Sequence, residues 1–307
     1  MHRLSHTARK PRPPPLTVTR LLQRVTRRLQ RARLYYGHGT DNARDDAAAL
    51  VWHALRLPRH PAAARLRRAV TAKQLAALAA LVERRIAGRV PAVYLTRRCW
   101  FAGLEFYVDE RVLIPRSPLA ELIERGFAPW IDPARVRQVA DVGTGSGCIA
   151  IACARAFPRA EVDALDLSPG ALEVARRNIR RHRLAGRVRA VQSDHFSALA
   201  GESYDIIVSN PPYVGLREMA ALPPEYRHEP PGALAAGTDG LDSVRVILRE
   251  AARFLRPAGL LVVEVGNTER RVRRSFPRLP FTWLEFERGG GGVFLLTREQ
   301  LSEGQRG

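Results

Sequence analysis

Five consecutive residues, Gly143-Thr144-Gly145-Ser146-Gly147, most restrict what this chain can fold into. They follow a short apolar run from Gln138 to Val142 and lead straight into a helically spaced one, Ile149 to Ala156. A strand, a glycine turn and a helix in that order form a nucleotide-binding loop, because only glycine lets the backbone turn this sharply and approach a ligand closely. Two common variants do not fit. The loop lacks the Gly-Lys-Ser/Thr that grips phosphates in a P-loop, and a dinucleotide-binding loop spaces its glycines G-x-G-x-x-G.

The chain after Pro118 alternates strand-like apolar runs with helical stretches, the pattern of a parallel sheet covered on both faces. Candidate strands are Gln138 to Val142, Glu161 to Asp166, Arg187 to Gln192, Tyr204 to Ser209 and Leu260 to Val265. Thr282 to Arg288 and Val293 to Thr297 leave no room for a helix between them, which predicts an antiparallel pair at the sheet edge. From Thr17 to about Val90 the apolar residues instead fall at helical intervals: Leu21, Leu22, Val25 and Leu29, then Ala47 to Leu57, then Leu75, Leu78, Leu81, Val82 and Ile86. Thr71 reads as the N-cap of the last helix and Gly88 as its stop. Trp100 to Ile114, short apolar and aromatic stretches broken by Asp109 and Glu110, suits a β-hairpin. The expected organisation is a disordered tail over residues 1–16, a helical domain over 17–95, a hairpin linker over 96–120 and an α/β domain over 121–300.

Composition excludes several classes. At 46% hydrophobic content the chain is too apolar for a disordered protein. No apolar run approaches the ~18 to 20 residues that span a bilayer, so no membrane association is expected, and the chain reads as soluble and cytoplasmic. Cys99, Cys148 and Cys153 match no zinc or redox spacing, and neither a metal nor a disulfide is expected. The net charge of +20 is concentrated: residues 1–98 hold 22 Lys/Arg against 4 Asp/Glu, a net of +18. Codon bias explains why only Lys10 and Lys73 are lysines, but not the scarcity of acids there. Such a face suits an anionic partner, a nucleic acid or ribonucleoprotein, and equally a merely solvated surface.

The chemistry-bearing residues lie at strand ends. Asp141 with Gly143, Thr144, Gly145, Ser146 and Gly147 forms the first loop. Asp166 closes the second strand about 20 residues on, where a carboxylate can accept hydrogen bonds from both ribose hydroxyls of a nucleoside; the same residue can instead cap the helix opening near Ser168 and Pro169. Asp194, after the third strand, is a candidate for an adenine amino group. Together these features fit an adenosine-containing cofactor.

The fourth strand ends in Ser209-Asn210-Pro211-Pro212-Tyr213. Adjacent prolines cannot continue a sheet, so the backbone leaves it in a rigid extended shape, with Pro211 offering a carbonyl but no donor. That suits a flat NH2 group. The Asn210 side-chain oxygen and the Pro211 carbonyl can each accept one of its protons, and Tyr213 can stack on its plane. Positive charge building on that nitrogen during methyl transfer is stabilised by the two acceptors. Asn210, Pro211, Pro212 and Tyr213 are therefore the candidate catalytic residues, and S-adenosylmethionine (SAM) the expected methyl donor.

With these two motifs the sequence resembles class I SAM-dependent methyltransferases acting on planar amino or amide groups, and within them the HemK family of protein glutamine methyltransferases. The resemblance implies a Rossmann-like seven-stranded mixed sheet, order 3-2-1-4-5-7-6, with a small N-terminal helical domain that recognises the protein substrate and a hairpin linker. Three segments, Tyr36 to Asn42, Ile114 to Leu122 and Glu225 to Pro230, resemble the PrmB branch, which modifies the third protein of the ribosomal large-subunit series. The release-factor branch typically carries an acidic residue near Ser117 and Pro118. Arg97 and Arg98 depart from the family, where a turn glycine is common, as does Pro231 with Gly232. The resemblance implies a ribosomal-protein substrate, met free or within an RNA-containing assembly particle.

Other readings use the same residues. Asn-Pro-Pro-Tyr can serve an adenine amino group equally well, although the chain has no room for the inserted recognition domain such nucleic-acid enzymes usually carry. A release-factor substrate and a non-enzymatic RNA-binding assembly factor are the further alternatives.

Overall fold

The computed structural model describes residues 16–305, so the expected tail lies outside the described residues except for Leu16. The chain forms two compact units, residues 16–34 with 41–92, and residues 35–40 with 93–305.

The smaller unit is helical. Its main helices are Val18–Arg31, Ala43–Leu55 and Ala72–Ile86. Each begins where a side chain takes up an orphan backbone N–H: Thr17 accepts from Arg20, Asn42 from Arg44 and Asp45, and Thr71 from Gln74, whose own side chain completes a capping box. Val18, Leu21, Val25 and Leu29 form the buried stripe of the first helix, Leu50, Val51 and Leu55 that of the second, and Leu78 and Val82 that of the third. Each buried aliphatic contributes roughly 1.5 to 3 kcal/mol. Among them lies a buried ion pair, Arg85 Nε to Asp46 Oδ2 at 2.6 Å. Gly88 acts as expected near the helix end, but through closeness: a Cβ there would lie 2.8 Å from the Arg84 carbonyl, while the left-handed residue is Arg89, at φ 56°.

The larger unit opens with a hairpin, β1 (Cys99–Phe101) and β2 (Leu104–Phe106), turned through Ala102 and Gly103, both at positive φ. Arg97, where the family commonly has glycine, sits at φ 57°. Seven strands make the main sheet: β3 (Gln138–Val142), β4 (Glu161–Asp166), β5 (Val188–Gln192), β6 (Tyr204–Ser209), β7 (Leu255–Glu264), β8 (Thr282–Leu284) and β9 (Val293–Thr297). Their order is β5-β4-β3-β6-β7-β9-β8, parallel except for the last two pairings. This is the class I methyltransferase order, and the fold is α/β. Alternate strand residues feed two cores: Val139, Val162, Ile206 and Val262 on one face, Val142, Leu165, Ile207 and Leu261 on the other.

Two strands differ from the sequence reading by more than one residue. β7 begins at Leu255 rather than Leu260, because the chain carries Pro257 through an irregular stretch, with Ala258 at φ 59° and the ladder shifted between Tyr204 and Ile206. β8 ends at Leu284 rather than Arg288, because the Glu121 carboxylate takes the backbone N–H groups of Glu287 and Arg288, each at 3.1 Å. Among the described residues no helix is long and apolar enough to cross a membrane, and no group of three or more His, Cys, Asp or Glu is placed to hold a metal ion.

Candidate active site

Strand register assembles the site. Val142 pairs with both Leu165 and Ser209, so Gly143, Asp166 and Asn210, the next residue along each chain, stand side by side at one end of the sheet. A cavity of about 540 Å³ opens there, lined by Gly143 to Ser146, Asp166, Asp194, Asn210, Pro211 and Pro212, with Arg116 and Ser117 on its wall.

The loop turns at Gly143 (φ 78°) and Gly145 (φ 54°), conformations that strain any side-chain-bearing residue. The Gly143 and Thr144 N–H groups both donate to the Leu165 carbonyl, at 2.9 and 2.8 Å. In front of these glycines the space is open: a Cβ on Gly145 would meet nothing within 4 Å, and one on Gly143 only the Asn210 carbonyl at 3.9 Å. Gly147 serves packing instead, since its Cβ would lie 3.3 Å from that of Ala175. Asp141 stands behind the loop and not in the cavity wall. It is wholly buried, and its Oδ2 accepts from Thr144 Oγ1 at 2.5 Å and from the Ala150 N–H at 3.0 Å. Complete burial pushes its carboxyl up to about 7.

Asp166 faces the cavity. Its Oδ2 accepts from the Gly145 N–H and its Oδ1 from the Ser168 N–H, both at 2.8 Å, and burial raises its pKa above the ordinary value. Ser168 itself is the N-cap of the helix Pro169–Arg181, so the carboxylate touches the helix start while also bracing the loop. Asp194 is exposed at the rim, its Oδ1 2.7 Å from His195 Nδ1.

Asn210 is the most telling residue. Its Oδ1 is buried at the cavity and has no hydrogen-bond partner among the described residues. Such an orphan acceptor costs about 1 to 3 kcal/mol and calls for an explanation. Ser209, one residue back, is fixed by donating to the Val142 carbonyl at 2.6 Å. Pro211 and Pro212 line the cavity, whereas Tyr213 packs beside it, against Gly266, where a Cβ would lie 2.8 Å from the ring. The Tyr213 hydroxyl donates to Glu264 Oε1 at 3.3 Å, and Ser117 donates to Glu264 Oε2. Burial raises the Glu264 carboxyl. Sequence reasoning missed Glu264 and Ser117. The available signal was topological: Ser209 pairs with Val263, so Glu264 ends the next parallel strand beside Asn210.

Within this unit, residues of the three segments that resemble the PrmB branch meet. Glu229 binds Arg116 through both oxygens, at 2.5 and 2.8 Å, accepts the Ile114 N–H at 3.2 Å and lies 3.8 Å from His38 Nε2. Glu225 accepts the Tyr35 N–H at 3.0 Å, and the Tyr226 ring meets that of His38 edge-on at 4.5 Å. Arg116, itself in the second segment and on the cavity wall, is thereby held by Glu229 of the third, which His38 of the first approaches.

Fold and site together define a Rossmann-like methyltransferase. Residues 20–96 match the family model of the PrmC N-terminal domain, and residues 126–221 that of the methyltransferase small domain. The chain is 47% identical to a ribosomal protein uL3 glutamine methyltransferase of Neisseria meningitidis serogroup B, over 93% of this chain and 94% of that protein. The protein of the same description in Neisseria gonorrhoeae is 46% identical, over 93% and 95%. Among solved structures, the hMettl16 catalytic domain in complex with MAT2A 3'UTR hairpin 1 matches at TM-score 0.50 and 17% identity, over 74% of this chain and 80% of that one, which shows the shared fold alone. The chain belongs to the HemK/PrmB family of glutamine methyltransferases.

Proposed function

We propose that this chain transfers a methyl group from SAM to the side-chain amide nitrogen of a glutamine in ribosomal protein uL3. The observation that carries the reading is the unpartnered Asn210 Oδ1, a buried acceptor on a residue that lines the cavity just past the end of the strand next to the glycine loop. Asn210 and the Pro211 carbonyl accept the two amide protons and orient the nitrogen. The same two oxygens stabilise the positive charge that develops there during transfer, an effect that needs no reorganisation because both sit on a rigid corner. Tyr213, held by Glu264 and Gly266, sets the direction of that corner.

SAM, when bound, supplies an electrophilic methyl group. The open space before Gly143 and Gly145 and the spare lone pairs of Asp166 suit its nucleoside, with Thr144, Ser146 and Asp194 beside them. Asp141 and Gly147 act on the loop from behind.

The substrate assignment is supported by the uL3-directed relatives and by the meeting of the three PrmB-like segments around Arg116. The chain encounters uL3 free or within an RNA-containing assembly particle. Incubation with methyl-labelled SAM and unmodified uL3, release factor or adenine-containing nucleic acid tests this directly. Label on a uL3 glutamine is expected; label confined to release factor or nucleic acid overturns it.

A further inference from the structure

The helix Val18–Arg31 carries no acidic residue, and its arginines are ordered. Arg20, Arg24, Arg27 and Arg31 fall at i, i+4, i+7 and i+11, one stripe on the side turned away from buried Leu21, Val25 and Leu29. All four are exposed, and none meets a carboxylate among the described residues. Arg28, off the stripe, does, reaching Glu83 at 2.6 Å. The stripe extends at its N-terminal end. Val18 N donates to the Arg68 carbonyl at 3.1 Å, and Thr19 Oγ1 to that of Leu66 at 3.1 Å, which fixes the exposed turn bearing Arg65, Arg67 and Arg68 beside it.

This arrangement works against the helix. Like charges at i, i+4 repel, and Arg20 in the first turn opposes the positive end of the helix dipole. A merely solvated face would not need either.

We infer that this arginine stripe is an RNA-binding surface that grips the phosphate backbone. Guanidinium forks pair with phosphate oxygens bidentately, and a row rising about 5.4 Å per turn over about 16 Å meets several successive charges of a polyanion. The exposed residues beside the stripe, Thr19, Gln23 and Gln30, are polar, so the face has no apolar wedge for a lipid surface. The inference rests on the uL3 reading for where RNA is encountered, since a ribosomal substrate is made in its company.

The test compares the full-length chain with the variant R20Q/R24Q/R27Q/R31Q, using anisotropy of a labelled RNA hairpin across a salt series and methylation of free uL3. Each lost phosphate contact should flatten the slope of log K against log salt by about 0.7 to 0.9, so the variant slope should fall by about 3. Its kcat/KM on free uL3 should stay at the wild-type value. An unchanged slope overturns the inference. So does a parallel loss on free uL3, which would make the stripe a protein contact, or equal stripe-dependent binding to anionic vesicles. A stripe-dependent slope in a chain that leaves uL3 unmethylated would keep the RNA surface and remove the substrate reading.

Discussion

The Asp166 carboxylate accepts the Gly145 backbone N–H at 2.8 Å, so the end of β4 fastens the middle of the glycine loop from the neighbouring strand. Its other oxygen holds Ser168 N at the same distance, and each oxygen keeps a lone pair for a ribose hydroxyl. Asp166→Ala should weaken SAM binding by ~1 to 3 kcal/mol, the usual effect of losing hydrogen bonds to a charged group. Calorimetric titration checks this. An unchanged Kd would reduce Asp166 to a support for the helix start.

Asp141 makes stability depend on pH. In the folded chain it keeps its proton up to about 7, whereas its ordinary value is 3.8. Between those values folding takes up a proton, so the Asp141 contribution falls as pH rises, by up to ~1.4 kcal/mol per pH unit. Asp141→Asn does not titrate. Its amide nitrogen takes the place of Oδ1, which has no partner now, a penalty independent of pH. The variant should therefore gain on wild type from about pH 4 to about pH 7 and run parallel above it. Urea unfolding at several pH values measures the difference, and a difference flat across that window would refute the argument.

The parts of the fold and site that were legible in sequence are those written in contiguous residues. β3, β4, β6 and β9 are apolar runs bounded by Gly, Pro, Asp or Asn, and the C-terminal ends of three of them carry the glycine loop, Asp166 and Asn210. What stayed hidden depends on pairings between distant segments. The sequence reading starts a strand at Leu260, after Pro257-Ala258-Gly259, yet β7 runs through these three because its neighbour Tyr204 pairs with Leu255 ahead of the irregularity. Thr282 to Arg288 reads as one strand, but the competing acceptor is Glu121, more than 160 residues away. Likewise the burial of Asp141, the packing role of Gly147 and the turn of Tyr213 toward Glu264 follow from strand register and helix contact, which no local motif records.

In the helical unit, Arg85 and Asp46 are 2% and 1% exposed. Arg85→Ala would take the guanidinium from the buried Asp46 carboxylate, at a cost of ~3 to 5 kcal/mol. Replacing both partners with apolar residues of similar volume, Arg85→Met with Asp46→Leu, should recover part of that loss, because the two charges of this pair then leave the interior together. Denaturant unfolding of the three proteins checks this; a double variant as unstable as the single one would show that packing, and not charge, explains the loss.

Asn210 separates function from stability. In Asn210→Ala the buried, unpartnered Oδ1 is gone, so the fold loses a destabilising group and the unfolding midpoint should hold or rise, by the equivalent of ~1 kcal/mol. Turnover should move the opposite way. Removing one preorganised group that stabilises developing charge typically costs ~10² to 10³ in kcat. SAM affinity should change little, because the glycine loop and Asp166, to which the proposed function assigns the nucleoside, are untouched. Single-turnover methylation, calorimetric SAM titration and thermal unfolding of the same variant distinguish the possibilities. A variant that is inactive, equally stable and equally able to bind SAM places the acceptor at the reacting nitrogen. One that loses stability or SAM binding in step with activity would mean that Asn210 holds the loop together, and that the acceptor for the amide lies elsewhere in the cavity.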